Sequence, residues 1–137
     1  MNLILGKNIR KFCLKNYWKN PESVIDFIED NKSTLKELNL FWCNLDSYFI
    51  NSISEIKGLN LTSFRLRFCE GITDTTLKKL VESQKNIKKL EVNCCSKLTN
   101  DAIITICDNF PTLQLLRIFK CFKITDVSFS LRLIVNL

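Results

Sequence analysis

The chain has 137 residues, 46% hydrophobic and 25% charged, and carries a net charge of +6, which is one domain's worth of sequence able to bury a shared core. Histidine is absent and glycine numbers three, which excludes Ser-His and Cys-His nucleophile pairs and leaves Gly-rich phosphate loops without support, so no enzyme, catalytic residue or cofactor is expected. The run Leu3, Ile4, Leu5 is too short for a signal-peptide core and no segment approaches a bilayer span, so a soluble chain is expected, cytoplasmic or nuclear and not secreted.

Ile9, Leu35, Leu61, Ile87 and Leu113 stand 26 positions apart, and each opens the same pattern. A large apolar residue follows at plus three (Phe12, Leu38, Phe64, Leu90, Leu116) and another at plus five (Leu14, Leu40, Leu66, Val92, Ile118). Four units then place cysteine at plus eight, as Cys43, Cys69, Cys95 and Cys121, where the first has Tyr17. A fixed period of this length marks a stacked solenoid: one domain over 1–137, with repeats 9–34, 35–60, 61–86, 87–112 and 113–137. The period-two alternation after each opener predicts a short strand with one buried face.

In the first unit Asn20, Pro21 and Glu22 start a helix whose apolar stripe is Val24, Ile25 and Ile28. The second departs most. Its loop apolar residue is Leu45, one place early, so Asp46 or Ser47 caps the stripe Ile50, Ile53, Ile56, and a one-residue adjustment is expected before Leu59. The third runs Ile72, Thr73-Asp74 as cap, then Leu77, Leu80 and Val81; the fourth runs Leu98, Thr99-Asn100, then Ile103, Ile106 and Cys107. The fifth repeats Ile124 and Thr125-Asp126, then ends in Leu131, Leu133, Ile134, Val135 and Leu137, an apolar end where a solenoid needs a cap. A fragment of a longer array, or a chain that caps itself by self-association, is expected.

Leu-x-x-Leu-x-Leu-x-x-Cys followed by Ile-Thr-Asp and an amphipathic helix resembles the cysteine-containing leucine-rich repeat of F-box/LRR proteins and of relatives without an F-box. The third unit carries it from Leu61 to Cys69 with Ile72-Thr73-Asp74, and the fifth from Leu113 to Cys121 with Ile124-Thr125-Asp126. The family's closing Cys-Pro-x-Leu is present in near form as Phe110-Pro111-Thr112-Leu113, while Lys32, Gly58 and Gln84 hold the place of the first residue in other units. The resemblance implies an α/β fold, a short right-handed horseshoe with a parallel concave sheet and convex helices. It also implies substrate recognition linked to a ubiquitin ligase. Only eight residues precede the first unit, whereas an F-box needs several tens, so this chain by itself is not expected to dock onto a ligase adaptor.

The cysteine ladder is read as reduced, packed thiols, since an odd count at one structural position is no disulfide framework and a linear ladder without histidine cannot easily surround zinc. Adjacent Cys94 and Cys95 should face opposite sides of their strand.

If plus three and plus five point into the core, then plus two, four, six and seven face the concave side. Those places hold seven basic residues (Lys11, Lys15, Arg65, Arg67, Lys89, Arg117, Lys120) against two acidic ones (Glu37, Glu91), and four aromatics: Phe41, Trp42, Phe68 and Phe119. The candidate partner-binding set is Phe41, Trp42, Arg65, Arg67, Phe68, Arg117 and Phe119, since aromatic anchors with arginine are the composition of binding hot spots. The expected function is non-catalytic binding of an acidic protein or peptide. Single-stranded nucleic acid is the alternative, because aromatics stack on bases where basic groups meet phosphates. An aromatic at a strand end could instead merely cap the core.

Overall fold

The computed structural model describes residues 8–17, 21–43 and 45–125. Five strands, β1 (Lys11–Lys15), β2 (Glu37–Phe41), β3 (Ser63–Arg67), β4 (Lys89–Asn93) and β5 (Leu115–Phe119), alternate with four helices, α1 (Glu22–Asp30), α2 (Ser47–Glu55), α3 (Asp74–Ser83) and α4 (Asn100–Asn109). The strands form one parallel sheet in sequence order. Every pairing joins equal places in successive units, Lys11 with Glu37, Glu37 with Ser63, Ser63 with Lys89 and Lys89 with Leu115. The repeat period is therefore also the register of the sheet, and α/β alternation with a parallel sheet is a solenoid-like arrangement.

The alternation within each strand does what period two requires. Leu38, Leu40, Phe64, Leu66 and Leu90 are fully buried, and the openers Leu35, Leu61 and Ile87 join them. The helices complete the core from the other side with Val24, Phe27 and Ile28, then Phe49, Ile50 and Ile53, then Leu77, Leu80 and Val81, then Ala102, Ile103 and Ile106. The third stripe is the one the spacing predicts. In α1 Phe27 is buried where the sequence reading has Ile25, because positions 24, 27 and 28 lie on one face and Ile25 falls to its flank. In α4 Ala102 is buried and Cys107 only half-buried for the same reason. Ile56 ends α2 as its C-cap and still reaches the core.

Three of the four described helices start on a side-chain cap. Asp46 accepts from the Phe49 amide at 3.0 Å, Thr73 and Thr76 cap reciprocally, and Thr99 accepts from the Asp101 amide. Pro21 occupies the cap position of α1 without a side-chain hydrogen bond; Asn20 lies outside the described residues. Asp74 also accepts from the backbone amide of Thr99 at 2.9 Å and from its hydroxyl at 2.7 Å, which joins the third unit to the fourth. Asn100 takes the Thr125 amide in the same way at 3.0 Å.

The strand-to-helix loop of the second unit is one residue short, as expected: α2 begins at Ser47, and the place is regained by Gly58, at φ +88°, before Leu59, so that β2 and β3 keep register. The early loop also brings the Leu45 carbonyl against the third unit, where a Cβ on Gly71 would lie 1.3 Å from the Leu45 oxygen. Two buried amides serve the openers. Asn31 Oδ1 accepts from the Ile9 amide at 3.2 Å and Gln84 Oε1 from the Leu61 amide at 3.0 Å, so these orphan donors are paired inside the protein. The apolar segment from Leu131 to Leu137 lies outside the described residues.

Candidate functional site

Every strand stops the same way. The plus-seven residues Asn16, Trp42, Phe68, Cys94 and Lys120 all adopt left-handed backbone, with φ between 52° and 56°. That turn lets the plus-seven amide make a final rung to the next strand: Asn16 N to Phe41 O at 3.0 Å, Trp42 N to Arg67 O at 2.9 Å, Phe68 N to Asn93 O at 3.0 Å and Cys94 N to Phe119 O at 2.7 Å. Asparagine, as at Asn16, tolerates this conformation better than other side chains with a Cβ, so tryptophan, phenylalanine and lysine there are held against a local preference of about 1 kcal/mol. Alternation continued from plus three and plus five would bury plus seven; the left-handed turn instead swings it out over the C-terminal ends of the strands, off the face that carries plus two, four and six. Trp42 and Phe68 move accordingly from the concave sheet to its rim.

The next residue turns inward. Cys43, Cys69, Cys95 and Cys121 are buried, and three of these thiols donate to the plus-five carbonyl of the preceding strand: Cys43 to Leu14 at 3.7 Å, Cys69 to Leu40 at 3.5 Å and Cys121 to Val92 at 3.4 Å. Burial pushes the Cys69 thiol up to about 11 and Cys95 to about 12, and raises Cys43 and Cys121 in the same direction. The ladder is protonated packing that stitches one unit to the next. Cys94, in contrast, is half-buried and faces outward.

At the rim the rings of Trp42 and Phe68 stack, centroids 3.8 Å apart and planes 14° from parallel. They form one wall of a groove of about 400 Å³ across the ends of β2 to β5, with Cys43, Glu70, Cys94, Ser96, Lys120 and Phe122 as the rest of its lining. Phe122 is 78% exposed and Trp42 48%, large apolar surface with little role in the core.

The sheet face that carries plus two, four and six is a second, distinct surface. Glu91, with its side chain 12% exposed, sits between Arg65 Nε at 3.1 Å and Arg117 at 3.4 Å. Lys11 pairs with Glu37 at 3.5 Å. Three cations lie on rings: Lys15 over Phe41 at 5.8 Å, Arg67 over Phe68 at 5.6 Å and Lys120 over Phe119 at 5.3 Å.

The seven candidate residues thus divide. Trp42 and Phe68 meet at the rim with Arg67 beside them, whereas Arg65 and Arg117 are joined through Glu91, two strands apart in the sheet. Phe41 stands in register with Arg67, and Phe119 in register with Asn93. The excess of five positive charges on these positions is accordingly less available than a count implies, since Glu91 engages two arginines. Sequence reasoning passed over Phe122 and Glu70. Their signal was present, since both fall at plus nine, two places beyond the left-handed residue.

No family model matches the chain. A curated relative, antagonist of mitotic exit network protein 1 from Candida glabrata, is 33% identical over 86 residues, 61% of this chain. The chain spans 17% of that relative's length.

Proposed function

We propose that the chain is a leucine-rich-repeat type solenoid whose concave sheet and strand-end rim form a non-catalytic protein-binding surface. The observation that carries this reading is the rim: of the five large hydrophobics exposed among the described residues, Trp42, Phe119 and Phe122 lie at the strand ends. Exposed aromatics beside cations are what a partner's apolar and acidic groups use as anchors. Glu91 at the middle of the sheet disfavours nucleic acid, because a carboxylate there opposes a phosphate backbone and already engages Arg65 and Arg117. A link to ubiquitin-ligase substrate capture rests on the repeat resemblance, and a link to mitotic exit on the name of the partial relative.

Affinity capture with the intact protein beside a Trp42→Asn/Arg67→Glu/Phe119→Ala variant, both shown folded by circular dichroism, tests the reading. Arg67 is chosen over Arg65 because reversing Arg65 would set two carboxylates together at Glu91. Protein partners lost from the variant alone are expected. An unchanged set of partners would place binding on the convex helices, and RNA among the lost partners would restore the nucleic-acid reading.

A further inference from the structure

We propose that the rim groove seats a single large apolar side chain from an acidic segment of the partner, with Lys120 and Arg67 meeting the flanking carboxylates. This rests on the protein-binding reading and names the occupant within it. Three observations converge on one place.

First, the groove is built at positions where the backbone would prefer asparagine. Only the first unit keeps it, at Asn16; the units that bound the groove use Trp42, Phe68, Cys94 and Lys120 in the same left-handed turn. The architecture needs the turn but not those side chains. Second, a cavity of about 400 Å³ lined by Trp42, Phe68, Cys94 and Phe122 has the size and apolar character of a side-chain or small-ligand site. Third, charge around it is unbalanced. Among the described residues the carboxylates of the concave positions are engaged, Glu37 by Lys11 and Glu91 by Arg65 and Arg117. Lys15, Arg67 and Lys120 lie over aromatic rings rather than against carboxylates. Glu70 is the one acidic group in the lining, so an occupant keeps its acidic residues toward Lys120 and Arg67 and away from the loop that carries Glu70.

Cys94 supplies the reporter, because it lines the groove and is half-buried, while Cys13 is exposed three strands away on β1. The full chain is titrated with blocked pentapeptides in which phenylalanine or leucine stands between pairs of glutamates. Iodoacetamide alkylation of each cysteine is then followed by mass spectrometry. Alkylation samples only unoccupied protein, so Cys94 should slow about fivefold when peptide exceeds its Kd about fourfold, with Cys13 unchanged. Alanine in place of the apolar anchor, or lysines in place of the glutamates, should remove the protection, and Lys120→Ala should weaken it. Phe68→Asn should keep its melting temperature, since asparagine suits the left-handed turn, and lose the protection.

Absence of protection up to millimolar acidic peptide, or equal protection by the lysine peptide, overturns the assignment. Should that happen while the capture variant still loses its partners, the protein-binding reading stands and the groove is not the seat of an acidic, apolar anchor. A Phe68→Asn variant that melts well below the parent would mean the ring stack serves the fold, and would overturn the argument from the turn.

Discussion

Raising pH should unfold this protein through its cysteine ladder. Burial lifts Cys69 from the ordinary thiol value of 9.0 to about 11 and Cys95 to about 12. A folded-state value above the unfolded one means the unfolded chain loses protons first, so the stability held below pH 9 drains away as pH rises toward 11 and 12. Within that window each thiol lowers stability by about 1.4 kcal/mol per pH unit. By pH 11 the pair has therefore removed about 5 kcal/mol, against a total of about 5–15 kcal/mol for an ordinary domain. Cys43 and Cys121 act in the same direction. Urea titrations followed by far-UV circular dichroism, in steps from about pH 8 to about pH 11, should show the midpoint falling steeply above pH 9. Lysine and tyrosine also ionise there, so the parent is compared with Cys69→Ala/Cys95→Ala. The variant should be less stable at pH 8, having lost buried volume, yet visibly flatter above pH 9. Parallel slopes in the two proteins would refute the reasoning.

Gly71→Ala should cost about 3 kcal/mol or more, because its Cβ would meet the Leu45 carbonyl, whereas Gly58→Ala has open space and should cost only about 1 kcal/mol for its positive φ. Equal melting temperatures for the two variants would contradict the short second unit. Asp74→Ala breaks both contacts to Thr99 and should lower stability by about 2 kcal/mol in chemical denaturation. Asp101→Ala, in the first turn of the next helix, should lower it by no more than about 0.5 kcal/mol, and a matching loss would mean the Asp74–Thr99 contact adds nothing.

The 26-residue period makes the architecture legible in the sequence. Because equal places in successive units pair across the sheet, Leu38, Phe64 and Leu90 could be placed in one buried row from spacing alone. The irregular second unit was legible too, since Leu45 breaks the spacing and demands an adjustment before Leu59; that Gly58 makes it is seen only in its positive φ. The site was read only in part. In the sequence reading plus seven is grouped with plus six on the concave face, although alternation from plus three and plus five would bury it; the left-handed turn at Trp42 and Phe68 ends the alternation and sends both rings to the rim instead. Charge counting likewise could not show that one carboxylate, Glu91, engages arginines on both neighbouring strands. Asn31 and Gln84 were invisible as structural groups because their work is done on opener amides more than twenty residues away.

Site-specific photo-crosslinking tests the central claim most directly, with a benzoylphenylalanine placed in turn at Arg67 on the proposed binding face and at Lys79 on α3. Covalent adducts with a protein partner from position 67 and none from position 79 are expected. Adducts from position 79 alone would contradict the account and move recognition to the helices.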